Sequence, residues 1–175
     1  LRARPGAAFK VVANLPYRVS TALIAALLTD GPVPDEIVAM AQREVAERLR
    51  AAPGSPDYGY LSVIVQAAAT VERLRTLGPS AFWPQPEVDS AVVRVTAKGV
   101  TPSASLRRVA GALFTHRRKK AARGLVMAGI APDMDTAEKA LEAAGVPPDA
   151  RPERITVEQF LRLARWAAAG GDRTG

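Results

Sequence analysis

The feature that most limits the fold is a change of pattern near Lys98-Gly99-Val100-Thr101-Pro102. Before it, short apolar runs alternate with helical spacing; after it, every periodic segment reads as helix. Phe9 to Ala13 has the length and apolar content of a buried strand. Val19 to Leu28 spaces Ala, Leu and Ile as a helix does and stops before Asp30-Gly31-Pro32. Glu36 to Ala41 reads as a second strand. Glu44 to Ala52 reads as a helix with Val45, Leu49 and Ala52 on one face, ended by Pro53-Gly54. Tyr60 to Gln66 is apolar and fits helix or strand by periodicity. Thr70 to Leu77 alternates weakly as a strand, and Ala91 to Thr96 more clearly. Such alternation predicts an α/β sheet. Beyond the boundary, Leu106 to Met127 forms one helix or two, and Thr136 to Ala144 a helix closed by Gly145 and Pro147-Pro148. The last helix opens on a capping box, Thr156 with Gln159, and a hydrophobic staple, Ile155 with Phe160. The expected bodies are residues 1–98 and 103–169, with 170–175 as a disordered tail.

Charge is concentrated in one stretch that spans this boundary. From Ser90 to Pro132 there is no Asp or Glu, while Arg94, Lys98, Arg107, Arg108, Arg117, Arg118, Lys119, Lys120 and Arg123 all fall there. The rest of the chain holds 15 of the 24 Lys and Arg against all 17 acids. The net charge of +7 is therefore a local basic patch on a nearly neutral body. Such a patch points to a polyanionic partner. With no cysteine, disulfides, thiolate metal sites and thiol catalysis are excluded. One histidine, His116, argues against a histidine metal site or a Ser-His-Asp triad. No apolar run reaches the roughly 18 residues of a membrane span, and no secretory signal is visible at the start. The expectation is a cytoplasmic monomer that uses no metal.

The first strand runs into Asn14-Leu15-Pro16-Tyr17. This loop offers a side-chain amide, a backbone carbonyl, a rigid turn and a ring, a set that suits a planar base with an exocyclic amine. The Asn14 side-chain oxygen and the Leu15 carbonyl can accept both N–H bonds of an adenine amine. Accepting both aims the nitrogen lone pair and stabilises the charge that develops as nitrogen turns tetrahedral. Pro16 fixes its own φ and pushes Leu15 into an extended conformation. Tyr17 can stack on the base. A plainer reading, a proline-terminated strand with a packed tyrosine, fits these four residues equally well.

A second segment tips the balance. Ser80-Ala81-Phe82-Trp83-Pro84-Gln85-Pro86-Glu87-Val88-Asp89-Ser90 is a proline-stiffened aromatic loop ahead of a strand. It offers Phe82 or Trp83 as a wall opposite Tyr17. Stacking a base on a ring contributes about 1–3 kcal/mol, which offsets the few kcal/mol needed to extrude it.

Taken in order, Val-Val-Ala-Asn14-Leu15-Pro16-Tyr17, Gln42 to Leu49, Pro53 to Gly59, Leu61-Ser62-Val63 with Gln66, Phe82 to Ser90, and Phe114 to Lys120 closely resemble the small-subunit ribosomal RNA adenine dimethyltransferases, the KsgA type with its Dim-type relatives. The resemblance spans about residues 8 to 168. It implies the end of a Rossmann-like class I S-adenosylmethionine-dependent methyltransferase sheet followed by a small all-α domain. It implies dimethylation of two adjacent adenosines in the 3′-terminal hairpin of small-subunit RNA, with the 30S-type precursor as partner. By the same resemblance, Asn14 holds the amine and lines the methionine end of the donor. Leu15 gives its carbonyl, Pro16 the geometry, and Tyr17 and Phe82 the stacking walls. A basic helix around Arg117 to Arg123, with Arg107 and Arg108, lies on RNA phosphates. His116 joins that face; Arg43 and Arg48 are structural with RNA in reach.

The family's N-terminal half finds no counterpart. There is no glycine-rich turn after a first strand and no acid for the donor's ribose. The resemblance therefore implies a C-terminal portion that binds the donor poorly and does not turn over alone. An uncovered sheet edge would favour aggregation. Two other functions remain open at this point: an Erm-type methyltransferase of large-subunit RNA, and a non-catalytic RNA-binding assembly factor.

Overall fold

The computed structural model describes residues 8–17 and 19–170. The tail predicted to be disordered lies, from residue 171 on, outside the described residues. Two compact units share the chain. One runs up to Ala51 and resumes over Ala68–Thr101; the other comprises Ala52–Ala67 and the chain from Pro102 onward.

The first unit is built on four strands: β1 (Lys10–Asn14), β2 (Glu36–Gln42), β3 (Ala69–Leu77) and β4 (Ser90–Ala97), in the spatial order β1-β2-β4-β3. β1 and β2 are parallel, while β4 runs antiparallel to both β2 and β3. Period-two alternation puts Ile37, Ala39 and Ala41 of β2 on one buried face. They sit opposite Val95, Val93 and Ala91 of β4 in register, so three apolar pairs form the centre of the sheet. The parallel β1–β2 connection carries α1 (Ser20–Thr29), which buries Ile24 and Leu28. Helix α2 (Arg43–Arg50) starts directly after β2 and packs Val45, Ala46 and Leu49 while resting on β2, β3 and β4. β3 is mostly exposed, and its pairing shifts between Arg73 and Arg75. That bulge accounts for the weak alternation in the sequence, and its charged residues suit an edge strand.

The second unit is helical: α3 (Tyr60–Ala68, entering from the Ala52–Ala67 segment), α4 (Ala104–Thr115), α5 (Ala121–Met127), α6 (Met134–Ala143) and α7 (Val157–Ala169). Helix α4 packs on α5 and α7, and α6 on α5 and α7. Residues 52–67, which the sequence pattern assigned to the first body, belong to this unit instead. The reason is Tyr58. Its ring is 1% exposed, its hydroxyl donates to the Ile155 carbonyl at 2.9 Å, and its edge meets Phe114 at 6.0 Å. Phe114 in turn stacks on Phe160 at 5.7 Å. Helix α3 is buried on nearly every side, so it has no amphipathic period and periodicity could not separate helix from strand.

Caps fix where the helices start. Thr156 Oγ1 accepts from the Gln159 N–H and Gln159 Oε1 from the Thr156 N–H, the predicted capping box, with Ile155 and Phe160 fully buried beside it. Ser103 caps α4 and Asp133 caps α6, each through its side-chain oxygen. Both caps start their helices two residues before the periodic apolar pattern does.

Candidate active site

The sheet topology gathers the candidate residues of the first unit at one end. Asn14 pairs with Met40, and Ser90 pairs with both Gln42 and Leu77. The carboxyl ends of β1, β2 and β3 therefore meet the start of β4. In open α/β sheets this is the end where ligands bind.

Asn14 closes β1 with its residue exposed. Leu15 extends the ladder one step: its N–H donates to the Met40 carbonyl at 3.1 Å, and its side chain is 4% exposed. The turn that follows is the lead-in to α1. The Pro16 carbonyl accepts from the Val19 N–H at 3.1 Å and the Ser20 N–H at 3.0 Å. Ser20 is fully buried, and its hydroxyl donates to the Tyr17 carbonyl at 3.1 Å. A side-chain anchor, a ladder bond and helix-start bonds thus fix the backbone on both sides of Asn14, which is itself exposed.

The aromatic loop is tied to that turn. Tyr17 Oη and Ser90 Oγ are 2.6 Å apart, and Ser90 is fully buried. One residue earlier, the Asp89 carbonyl accepts from the Arg43 N–H at 2.9 Å, and its carboxylate pairs with the Arg43 guanidinium at 2.8 Å. The other end of the loop is a short 3-10 turn at Pro79–Ala81 that closes on Phe82, whose N–H donates to the Pro79 carbonyl at 3.1 Å. Phe82 is half-buried and Trp83 stands 96% exposed. Among the described residues, ring–ring contacts occur only in the helical unit, so Tyr17 and Phe82 do not touch each other.

Sequence reasoning missed Ser90 and the Arg43–Asp89 pair as the parts that hold the loop to the turn. The signal was present: Asp-Ser stands directly before a Val-rich strand, and Arg43 stands directly after another.

On the helical unit, the predicted basic helix over Arg117 to Arg123 is corrected. Arg117, Arg118, Lys119 and Lys120 lie in the turn between α4 and α5, and only Arg123 is helical. His116 ends α4, its N–H donating to the Ala112 and Leu113 carbonyls, and its carbonyl accepts from the Lys119 N–H at 2.8 Å. The turn is tight because α5 lies close on α4. A Cβ on Gly124 would sit 2.8 Å from Leu113 Cδ2. All four turn cations and Arg123 are exposed. Arg107 is half-buried, and Arg108 donates to the Gly129 carbonyl at 3.1 Å while remaining exposed. Among the described residues none of these seven cations forms an ion pair. Arg94 differs, since it pairs with Glu36 and Glu72 in the sheet. Arg48 pairs with Glu44 on its own helix. Among the described residues no group of three or more His, Cys, Asp or Glu is placed to hold a metal, and no helix is long and apolar enough to cross a membrane.

Solved structures share this architecture. A dimethyladenosine transferase from Plasmodium falciparum superposes with a TM-score of 0.77 at 23% identity, covering 89% of this chain and 65% of that one. The 23S rRNA methyltransferase ErmE superposes with a TM-score of 0.66 at 24% identity, covering 94% and 67%. The chain shares the fold of both over most of its own length. The family model for ribosomal RNA adenine dimethylase matches residues 2–169, and the chain belongs to that family. Curated relatives are 42% identical: Ribosomal RNA small subunit methyltransferase A of Pseudomonas aeruginosa, over 93% of this chain and 60% of the relative, and the protein of the same name from Ruegeria sp., over 92% and 58%. The chain thus spans about 60% of the length of the curated relatives it matches.

Proposed function

We propose that the whole protein to which this chain belongs is a ribosomal RNA adenine N6,N6-dimethyltransferase, and that this chain is its acceptor-side portion. The substrate is two adjacent adenosines in the 3′-terminal hairpin of small-subunit RNA, met on a 30S-type precursor. Membership of the dimethylase family supports the reaction class. The observation that carries the site is the Tyr17–Ser90 bond, which couples the Asn14-Leu15-Pro16-Tyr17 turn to the Phe82 loop at the ligand-binding end of the sheet.

The residues of this chain fit S-adenosylmethionine only in part. The Asn14 amide, exposed at a strand end, can line the methionine end of the donor. Among the described residues, however, the turn after β1 holds no glycine and α2 starts directly after β2, so neither strand end offers a glycine-rich backbone cradle. When bound, the donor supplies an electrophilic methyl group on a positively charged sulfur.

The acceptor chemistry belongs to this chain. In the first transfer Asn14 Oδ1 and the Leu15 carbonyl accept the two N–H bonds of the adenine amine, and in the second they share the one N–H that the monomethylated amine keeps, which holds the lone pair out of the plane of the base. As nitrogen becomes tetrahedral and positive, these two oxygens stabilise the developing charge, the kind of contact whose removal costs about 10²–10³ in rate. The alkylated amine is acidic, so its proton passes to water without a dedicated base. Tyr17 and Phe82 provide faces for the extruded base. The half-buried Tyr17 hydroxyl, spent on Ser90, fixes the ring and takes no part in proton transfer. Arg117, Arg118, Lys119, Lys120 and Arg123, with Arg107 and Arg108, supply phosphate contacts from the helical unit.

Primer extension tests the reading, because a dimethylated adenosine has lost both N6–H groups, including the donor of its pairing edge, and halts the polymerase. The whole protein with S-adenosylmethionine is expected to create stops at neighbouring adenosines near the 3′ end of small-subunit RNA. Stops confined to large-subunit RNA would assign an Erm-type activity instead. Binding without any stop would make the protein an assembly factor.

A further inference from the structure

Trp83 is 96% exposed, the most exposed large apolar side chain among the described residues. An indole presents roughly 200 Å² of largely apolar surface, with a π-face on which any base can stack. Its loop is not loose. The Ala81 N–H donates to Gly78 and the Phe82 N–H to Pro79, each at 3.1 Å; Pro84 and Pro86 follow, and Asp89 is clamped by Arg43. The ring is therefore presented on a stiff support that loses little freedom when it binds something.

We infer that Trp83 is a second stacking platform, for a nucleobase that flanks the adenosine held by Asn14 and Tyr17. This deepens the RNA-methyltransferase reading and rests on it. Position is the first argument, since the loop ends at Ser90, whose side chain meets Tyr17 at 2.6 Å, so Trp83 belongs to the same sheet end as the acceptor turn. Charge is the second. From Thr76 to Val93 there is no Lys or Arg, whereas Glu87 and Asp89 are present. Asp89 is paired with Arg43, so the loop itself brings no cation to a phosphate and presents ring faces, which favours a base over the backbone. Extruding one base also strips its neighbours of a stacking partner, and an exposed indole restores one. Phe82, half-buried beside Trp83, serves the target base; Trp83 serves the next one.

The test uses the 175-residue chain with Trp166→Phe, which leaves Trp83 as its one indole. Titration with a fluorophore-labelled hairpin RNA is followed by RNA anisotropy and by indole emission. Emission is expected to fall, saturating at the RNA concentration where anisotropy saturates. Trp83→Leu should weaken binding by about 5- to 150-fold, the range of one base–ring stack, while Trp83→Tyr should stay within a few-fold of the parent. RNA binding with unchanged emission and a wild-type Trp83→Leu affinity would overturn the platform and leave the methyltransferase reading standing. No RNA binding by the parent chain would overturn the RNA reading of this chain and the platform with it.

Discussion

The Tyr17–Ser90 bond makes a quantitative demand on the acceptor site. Ser90 is fully buried at the start of β4, and its hydroxyl lies 2.6 Å from Tyr17 Oη, whereas the tyrosine is half-buried. Tyr17→Phe removes the partner of a buried hydroxyl and should destabilise the chain by about 1–3 kcal/mol. Ser90→Ala leaves a tyrosine hydroxyl that can still reach water, so it should cost less, about 0.5–1.5 kcal/mol. In the double variant nothing buried is left unsatisfied, and the total should fall short of the sum by roughly 0.5–1.5 kcal/mol. Urea unfolding of the four proteins measures this, provided the slopes agree so that midpoints report stability. Additivity to within about 0.3 kcal/mol would refute the coupling between turn and loop. In the whole protein both single variants should lower kcat, since misplacing a positioned base by about 1 Å can cost about 10²-fold.

Three further outcomes follow from other parts of the molecule. RNA affinity of the chain should fall steeply with salt, and neutralising Arg117, Arg118, Lys119 or Lys120 should each lower the log–log salt slope by about 1; a slope unchanged in the quadruple variant would remove the α4–α5 turn from the RNA surface. Tyr58→Phe leaves the Ile155 carbonyl without its buried donor and should cost about 1–3 kcal/mol. Burial also raises the pKa of Tyr58 in the folded chain, so the unfolded chain loses this proton first. Its contribution is complete below about pH 10 and declines above it, and Tyr58→Phe should flatten that alkaline decline in unfolding curves. Calorimetric titration of the chain alone with S-adenosylmethionine should show only weak binding, because Asn14 is the single donor contact assigned to it; micromolar affinity would contradict that assignment.

Much of the fold was legible because local signals agreed. Asn14-Leu15-Pro16-Tyr17 carries its own strand end and turn, and Thr156 with Gln159 announces the last helix. What escaped has a physical cause in each case. Helix α3 is buried nearly all round, so its sequence has no polar face to set a period. The grouping of residues 52–67 with the later helices depends on Tyr58 reaching Ile155, a contact 97 residues away that no window of sequence can display. The cations at 117–120 follow α4 without a proline or glycine to mark its end, and the turn is visible only through Gly124 and its close approach to Leu113. At the site, the residue types of the turn and loop were readable, but the bond joining them, Tyr17 to Ser90, is a tertiary contact.

The central claim is that Asn14 and the Leu15 carbonyl hold the adenine amine. Asn14→Ala in the whole protein tests it most directly, with single-turnover methylation and RNA affinity measured on the same preparation. The account predicts a rate lower by about 10²–10³ with RNA binding unchanged, because one of two oxygens that stabilise the developing charge is gone. A wild-type methylation rate in Asn14→Ala would contradict it.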